Sequence, residues 1–278
     1  PGNGTALFLP IDQGMEHGPS DFFPNPPCAN PDYQCRLAKE GGYSGIVFHM
    51  GLASKYMREY AGRVPLVLKL NGKTNIPSDA EAFSAQECSV EDAVRLGADA
   101  VGYTLYVGSP SQDRDFGQLG KVRAECDRYG MPLIIWSYPR GSAVAAKGGR
   151  DSIYAVDYAA RLADELGADI VKLNAPKFRD PRNEDSPTPY RKLYQELKEL
   201  DDDEAYRLAV EKVVATAGKT LVLFSGGSRI SDEDLLTKAR ICMEAGSTGL
   251  IFGRNMWQRP FDEGLAITQK VKEILLAL

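Results

Sequence analysis

The sequence predicts an α/β fold, a closed (β/α)8 TIM barrel formed as a single domain over residues 1–278. Short apolar segments rich in β-formers alternate with amphipathic helical stretches, the pattern of βαβ units and a parallel sheet. Eight such units in a chain of this length fit one closed barrel. A third observation is that four helices end in the same short glycine turn, which is typical of repeated units.

The predicted strands are the eight apolar segments, in chain order: Ala6–Asp12, Gly45–Met50, Pro65–Asn71, Ala100–Tyr106, Pro132–Pro139, Ile170–Pro176, Thr220–Gly227 and Gly249–Asn255. Helices are clearest at Ser152–Leu166, Ser231–Ala245 and Phe261–Leu278. The glycines of the repeated turn are Gly42, Gly97, Gly167 and Gly246. An open doubly wound sheet is the competing architecture. It usually carries its phosphate-binding glycines after the first strand, whereas here they come late.

Two segments do not fit the minimal repeat, and both follow strands at the catalytic rim of the predicted barrel. Pro19–Pro31 is rich in proline and too irregular for a regular element, so we expect it to cap the site. Phe178–Asp203 is charged and follows strand six. A solvated excursion and a lid or subunit contact remain equally open for this second segment.

Composition excludes several classes of protein. Hydrophobic residues make up 43% and charged residues 26%, which excludes a disordered chain, and no apolar run reaches membrane-span length. A net charge of −5 argues against nucleic-acid or anionic-membrane partners. Only His17 and His49 are histidines, so a multi-histidine metal cage cannot form, and we predict no metal and no cofactor.

The compartment is predicted from the cysteines and the start of the chain. The five cysteines show no CxxC spacing and indicate free thiols in a reducing cytoplasm: Cys28, Cys35, Cys88, Cys126 and Cys242. No signal peptide is visible. The sequence lacks an initiator Met and begins almost directly with a strand, so we expect the native chain to start upstream.

Two lysines on predicted strands are candidates for covalent chemistry. Lys172 shares a face with Ile170 in strand six, and an enclosed lysine favours the neutral amine that attacks carbonyl groups. The alternative is a salt-bridged lysine. Lys69 on strand three is the rival nucleophile, or a second cation that lowers the pKa of Lys172. Lys69 could equally bind a phosphate or pair with a carboxylate.

Strands five and one carry further candidates. Trp136, Tyr138 and Arg140 share one face of strand five, where a phenol can move a proton and a guanidinium can hold a phosphate. Trp136 is equally a plain core residue. Asp12 ends strand one and either caps a turn or supports a cationic iminium or a proton transfer. Glu16 and His17 follow it in the loop.

Glycine-rich turns after strands seven and eight predict a phosphate site, which barrels commonly build at these two loops. The predicted phosphate-binding residues are Ser225, Gly226, Gly227, Gly253 and Arg254. A phosphate site beside a reactive lysine indicates a phosphorylated carbonyl substrate. The implied reaction is retro-aldol cleavage or its reverse, in which the imine accepts the electrons of the broken carbon–carbon bond.

Motifs in order along the chain resemble those of the archaeal-type class I fructose-1,6-bisphosphate aldolases, which also occur in bacteria. They are LPIDQGMEHGP (Leu9–Pro19), VLKLNGKT (Val67–Thr74), WSYPRG (Trp136–Gly141), Lys172, FSGGS (Phe224–Ser228) and GLIFGRNMWQ (Gly249–Gln258). Some relatives carry His directly after the strand-one Asp, where this chain has Gln13.

The resemblance implies a role for each candidate. Lys172 would form the Schiff base, Tyr138 would donate and accept the proton, and Asp12 would be a supporting carboxylate. Trp136 and Arg140 would line the substrate channel, and the glycine turns would hold the phosphate next to the ketone. The family is metal-independent, and its members form rings or stacked rings, so a homo-oligomer is expected.

We therefore predict a lyase of glycolysis and gluconeogenesis that reversibly cleaves fructose 1,6-bisphosphate to dihydroxyacetone phosphate and glyceraldehyde 3-phosphate. Arg140 favours this substrate because it suits a second phosphate. One alternative is another lysine-imine aldolase, or a transaldolase-like or thiolase-like enzyme on a related sugar phosphate. Others are a non-covalent phosphosugar isomerase or epimerase and a phosphosugar-binding protein without turnover. The metabolic direction and any effector remain open.

Overall fold

The computed structural model describes residues 2–277 and contains a closed barrel of eight parallel strands. The strands are β1 (Ala6–Pro10), β2 (Gly45–His49), β3 (Leu66–Lys69), β4 (Ala100–Val107), β5 (Leu133–Pro139), β6 (Ile170–Leu173), β7 (Leu221–Ser225) and β8 (Gly249–Ile251). Neighbours along the chain pair in parallel, and β8 pairs with β1 to close the barrel. The predicted fold and all eight predicted strands are confirmed.

Twelve α-helices accompany the strands within the described residues: α1 (Gln13–Glu16), α2 (Pro31–Gly41), α3 (Met50–Tyr56), α4 (Val90–Arg95), α5 (Gln112–Tyr129), α6 (Ser142–Ala145), α7 (Ile153–Glu165), α8 (Thr188–Lys198), α9 (Asp202–Thr216), α10 (Asp232–Glu244), α11 (Arg254–Trp257) and α12 (Phe261–Leu276). The three helices predicted from sequence are α7, α10 and α12. Leu278, the predicted last residue of α12, and Pro1 lie outside the described residues.

Side chains alternate between the inside and the outside of the barrel, as the two-residue period of a strand requires. The inner cluster consists of Phe8, Val47, Val67, Ala100, Ile134, Trp136, Leu223 and Ile251. Val171 and Leu173 instead pack outward with the helix layer. Lys172 therefore points inward between them, as its phase with Ile170 predicted. Six of the eight strands end earlier than predicted, because their last predicted residues already turn into the loops that carry the site; β5 ends at the predicted Pro139, and β4 ends one residue later than predicted, at Val107.

The repeated glycine turn is also confirmed. Gly42, Gly97, Gly167 and Gly246 have φ angles of 62°, 67°, 86° and 89°, in the left-handed region. Glycine adopts this conformation without the steric cost of a Cβ atom. Each of these helices can therefore end abruptly and return the chain to the amino-terminal end of the next strand.

The proline-rich segment after β1 forms part of the wall of a cavity. It contains two 3-10 turns, Pro19–Phe22 and Pro26–Ala29. The buried side chain of Asn25 donates a hydrogen bond to the carbonyl oxygen of Trp257 at 2.9 Å, which attaches the segment to α11. Ser20 and Asp21 then face the cavity at the carboxyl ends of the strands.

The segment after β6 contains a 3-10 turn, Pro181–Asp185, followed by α8. Helix α8 buries Tyr194 and Leu197, and Leu197 packs with Ile153 of α7 and with two alanines of α9. This half of the segment is therefore a packed part of the helix layer and not a solvated excursion. Across residues 2–277, no helix combines the length and the hydrophobicity that a bilayer crossing requires.

Two glycine substitutions should have opposite effects on stability. Gly97→Ala forces an alanine into the left-handed region and should lower the free energy of unfolding by roughly 1–2 kcal/mol. Gly120→Ala, on the exposed face of α5, should raise it by about 0.5–1 kcal/mol because alanine is the better helix former. An added Cβ meets nothing within 4 Å at either position, so the backbone conformation alone decides the sign.

Thermal unfolding of the two variants and the wild type at one scan rate measures the difference. Equal shifts in the same direction would contradict the left-handed turn at Gly97.

Candidate active site

A cavity of about 850 Å³ opens at the carboxyl ends of the strands. Nine of the predicted site residues line it: Asp12, Tyr138, Arg140, Lys172, Ser225, Gly226, Gly227, Gly253 and Arg254. The two other predicted residues, Lys69 and Trp136, are fully buried beneath it, with 0% exposure each. The barrel therefore brings the whole predicted set to one place, as residues at one end of a parallel barrel must meet.

Lys172 is the buried amine at the floor of this cavity. It is only 4% exposed, and within residues 2–277 its ammonium group has no ion-pair partner. Burial lowers the pKa of Lys172 below its ordinary value of 10.5. The carboxylates of Asp12 and Glu16 oppose the shift, and Arg254 adds to it. A larger fraction of neutral amine follows, which is the form that attacks a carbonyl carbon.

Lys69 differs from Lys172 because two carboxylates form ion pairs with it. Its Nζ lies 2.9 Å from Glu16 Oε1 and 3.5 Å from Asp12 Oδ2. Burial alone would lower the pKa of Lys69, but the two carboxylates outweigh burial and raise that pKa above 10.5. Of the alternatives open from the sequence, the geometry favours pairing with a carboxylate. Arg254 is a cation that lowers the pKa of Lys172, and Lys172 in turn lowers the pKa of Lys69.

Asp12 is a carboxylate on which the positive charges of both lysines act. Its side chain is 2% exposed. Burial would raise the pKa of Asp12, but the ammonium groups of Lys172 and Lys69 outweigh it and lower that pKa from 3.8 to about 2. Asp12 is therefore a carboxylate at any physiological pH, available to stabilise a cation that develops at Lys172.

Trp136 lies close to both ammonium groups. Its ring centroid lies 4.9 Å from Lys172 Nζ and 5.1 Å from Lys69 Nζ, which is within the range of cation–π contacts. Its indole N–H has no hydrogen-bond partner in the described chain. Trp136 is thus a buried residue of the inner cluster that also contacts both lysines.

Tyr138 is the next inward-facing residue along β5 and stands above Trp136. Its ring centroid lies 5.6 Å from Lys172 Nζ and 5.4 Å from Arg140 Cζ. Burial, followed by the negative charges of Glu16 and Asp12, raises the pKa of the phenol far above its ordinary value of 10. The phenol therefore remains protonated at neutral pH and can donate a proton to an atom bound at Lys172.

The turns after β7 and β8 form one wall of the cavity. The backbone N–H groups of Gly226, Gly227, Ser228 and Gly253 donate to no acceptor within residues 2–277. Arg254 follows directly and supplies a guanidinium group, whose Nη1 lies 3.9 Å from Asp21 Oδ2. Free amides beside a guanidinium group form an anion-binding wall, which suits a phosphate.

A second group of cations lies on the opposite wall. The Asp79 carboxylate approaches Lys73 Nζ at 2.9 Å, Arg140 Nε at 3.0 Å and Arg150 Nη1 at 3.8 Å. Arg140 is the only one of these cations that the sequence analysis singled out. The charge of this wall, like that of the glycine turns, suits an anionic group of a ligand.

Sequence reasoning missed or left unassigned several residues of the site. Asn174 follows Lys172 by two positions, and the strand period could have identified it; its Oδ1 accepts a hydrogen bond from Ser225 Oγ at 2.8 Å. Glu16 was noticed only as a loop residue. Asp79 gave no signal because it lies in a loop without periodicity.

Comparison with known proteins finds relatives along most of the chain. Residues 6–259 match the family model described as "DeoC/LacD family aldolase". A class 1 fructose-bisphosphate aldolase of Thermoproteus tenax is 41% identical over 92% of this chain and 84% of its own length. A protein of the same name from Halobacterium salinarum is 35% identical over 92% of this chain and 86% of its own length.

A solved structure is also similar throughout. It is described as an archaeal fructose-1,6-bisphosphate aldolase with the catalytic Lys covalently bound to the carbinolamine intermediate of the substrate. It superposes with a TM-score of 0.81 and 38% identity over 98% of this chain and 94% of its own. The resemblance stated from sequence motifs is thereby confirmed. The chain belongs to the DeoC/LacD aldolase family and, within it, to the class 1 fructose-bisphosphate aldolases.

Proposed function

We propose that this protein reversibly cleaves fructose 1,6-bisphosphate to dihydroxyacetone phosphate and glyceraldehyde 3-phosphate through a Schiff base on Lys172. The observation that carries the proposal is one buried lysine without a counter-ion, placed between a phenol and an anion-binding wall. Relatives with this named activity cover most of the chain and support it. No metal takes part in the proposed reaction.

The reaction begins when the neutral Lys172 amine adds to the C2 carbonyl of the ketose and forms a carbinolamine. Protonation of its hydroxyl group releases water and leaves an iminium ion. Loss of the C4 hydroxyl proton then breaks the C3–C4 bond, whose electrons move into the iminium as the aldehyde leaves. Protonation of the resulting enamine at C3, followed by hydrolysis, releases the ketone product and restores the amine.

Tyr138 and Asp12 have separate tasks in this proposal. Tyr138 supplies and removes the protons, because its ring lies 5.6 Å from Lys172 Nζ and its phenol is protonated in the resting enzyme. Asp12 is a permanent carboxylate near Lys172 and stabilises the iminium charge. Trp136 excludes water from below the reacting carbon.

The two anion-binding walls accommodate the two phosphates. The phosphate next to the ketone binds the turns at Ser225–Gly227 and Gly253–Arg254. The distal phosphate binds the cations around Arg140. Tyr138 lies near both ends of this path, because its ring centroid is 5.6 Å from Lys172 Nζ and 5.4 Å from Arg140 Cζ. The substrate can therefore pass Tyr138 with both ends held.

We also propose a cytoplasmic homo-oligomer built from a single catalytic domain. The five cysteines are all free and buried, in keeping with a reducing compartment. Helix α12 uses most of its apolar residues to close the barrel, but Leu276 is 53% exposed. Phe23 and Ile76, on the catalytic rim, are 73% and 87% exposed and are further candidates for subunit contacts.

Reductive trapping should identify the nucleophile. Treatment of the wild type with dihydroxyacetone phosphate and borohydride should attach one three-carbon phosphate to Lys172, mapped by mass spectrometry of peptides. Lys172→Met should abolish both the adduct and turnover, because Lys69, the other lysine inside the barrel, is paired with Glu16 and Asp12. Lys69→Met should still be trapped, although more slowly.

Normal activity in Lys172→Met would move the imine to Lys69. Turnover of a phosphosugar by the wild type without any adduct would instead indicate an isomerase or epimerase. Product analysis with several phosphorylated ketoses and aldehydes separates the bisphosphate aldolase from other lysine-imine enzymes.

Tyr138→Phe should keep the ring packing and lose only the proton-transfer group. We expect kcat to fall about 10²–10⁴-fold, the usual contribution of one acid–base group. Trapping at Lys172 should remain detectable on a longer time scale. The check is steady-state cleavage beside quantitative trapping, and a variant with full activity would remove Tyr138 from the mechanism.

The pH dependence of trapping should report the pKa of Lys172. With dihydroxyacetone, which has no phosphate, the rate should fall on the acid side with a midpoint below 10.5, because burial lowers that pKa. Arg254→Gln removes a positive charge that disfavours the ammonium, so the midpoint should rise. Asp12→Asn removes a negative charge that favours it, so the midpoint should fall. Shifts with the opposite signs would disprove this electrostatic account.

A further inference from the structure

The loop between β3 and α4 places a carboxylate on the distal cations. Its two ends pair as a short antiparallel hairpin, Asn71–Gly72 with Ala85–Gln86. The buried Asn71 side chain fastens the hairpin by donating to the carbonyl oxygens of Ser84 and Thr104 at 3.2 and 2.9 Å. Asp79 lies between these fixed ends, in the 3-10 turn Asp79–Glu81.

Asp79 is one anion among three cations. Lys73, Arg140 and Arg150 approach its carboxylate at 2.9, 3.0 and 3.8 Å. Burial would raise the pKa of Asp79, but these cations outweigh it and keep the carboxylate ionised at neutral pH. Arg150 Nε also lies 3.8 Å from Asp151 Oδ2, so Asp151 shares in neutralising Arg150, whereas Lys73 and Arg140 have Asp79 as their only ion-pair partner within residues 2–277. A phosphate dianion would match this charge better than the single carboxylate does.

The same cations face the substrate cavity, and Asp79 itself is part of its lining. Arg140 Cζ lies 5.7 Å from the ring centroid of Tyr106 and 5.4 Å from that of Tyr138, so two aromatic rings hold the guanidinium beside the proton-transfer group. The Arg140 side chain is 16% exposed, and the Asp79 side chain is 42% exposed. In this ion pair the aromatic rings hold the Arg140 guanidinium in place. The half-exposed Asp79 carboxylate is the member that another anion can replace.

We propose that Asp79 is a resident counter-anion that competes with the distal phosphate of the substrate for Lys73, Arg140 and Arg150. This inference rests on the proposed aldolase function and concerns its substrate preference. A bisphosphate displaces the Asp79 carboxylate from these cations, whereas a ketose with only the phosphate next to the ketone leaves it in place. Asp79 therefore sets the relative affinity for doubly and singly phosphorylated ketoses without touching the reacting atoms.

Displacement needs little rearrangement of the protein. The loop residues Thr74–Ser78, which lead into Asp79, are all exposed, and Ile76 at the tip is 87% exposed. A rotation of one half-exposed side chain moves the carboxylate into water and opens no apolar core. The competing ion pair contributes modestly because it is solvated.

The test compares Asp79→Asn with the wild type on fructose 1,6-bisphosphate and fructose 1-phosphate. The asparagine keeps the size of the side chain and removes the competing charge. The KM for the bisphosphate should fall about 2- to 5-fold, the effect expected of a partly exposed ion pair. The kcat values for both substrates and the KM for the monophosphate should stay within error of the wild type. The substitution changes neither Lys172 nor the turns that bind the phosphate next to the ketone.

Glu81→Gln is the matched control. Glu81 lies in the same turn, is exposed, and forms no ion pair within residues 2–277. The Glu81→Gln substitution removes the same charge from the same rim but should leave the ratio of the KM values for the bisphosphate and the monophosphate unchanged. An equal fall in the bisphosphate KM of both variants would show that the effect comes from the net charge of the rim, and it would overturn the proposal.

A rise in the bisphosphate KM of Asp79→Asn would also overturn it, since Asp79 would then order the cations and not compete for them. An unchanged KM ratio has the same consequence. Failure of the aldolase assignment itself has a different signature, because the wild type would then form no Lys172 adduct with dihydroxyacetone phosphate. A wild type that is trapped normally confines any failure to the role of Asp79.

Discussion

The proposed chemistry of this protein depends on an unequal distribution of carboxylates between two buried lysines. Glu16 and Asp12 make their short contacts with Lys69, at 2.9 and 3.5 Å, and Lys172 receives none. A short ion pair to Lys172 would keep its amine protonated and unreactive. The charged Lys69 also prevents the two acids from remaining unpaired in the barrel, where isolated charges are costly. One lysine thus keeps the other available for reaction.

The barrel supplies the positions for this arrangement. Trp136 and Lys172 are register partners on β5 and β6, so the indole and the amine face the interior at the same level. One level higher, Tyr138 is the register partner of Tyr106 on β4. The closed sheet excludes water below this level, and the loops add charged groups above it. Desolvation and substrate binding are therefore separated along the barrel axis, a separation that an open sheet edge would not provide.

Both ends of the substrate cavity combine guanidinium groups with a carboxylate from a rim segment. Arg254 faces Asp21 at 3.9 Å, and Arg140 faces Asp79 at 3.0 Å. Cations gathered in a cleft repel one another, and an acidic neighbour reduces that repulsion while the cleft is empty. The longer distance at Arg254, together with the free backbone amides beside it, leaves that end more open to an anion. The proposed binding of two phosphates in this cavity is in this way compatible with a chain of net charge −5.

The sequence by itself determined the eight-strand barrel, the inward phase of Lys172, Trp136, Tyr138 and Arg140, and the anion-binding turns. These features follow from the two-residue period of strands and from local glycine chemistry, both of which a chain displays directly. Only the tertiary structure decided which lysine is paired and which acid lies on the distal cations. Glu16 meets Lys69 across 53 positions, and Asp79 meets Arg140 from a loop without periodicity. Such contacts depend on how separate segments converge in space, and no local pattern encodes them.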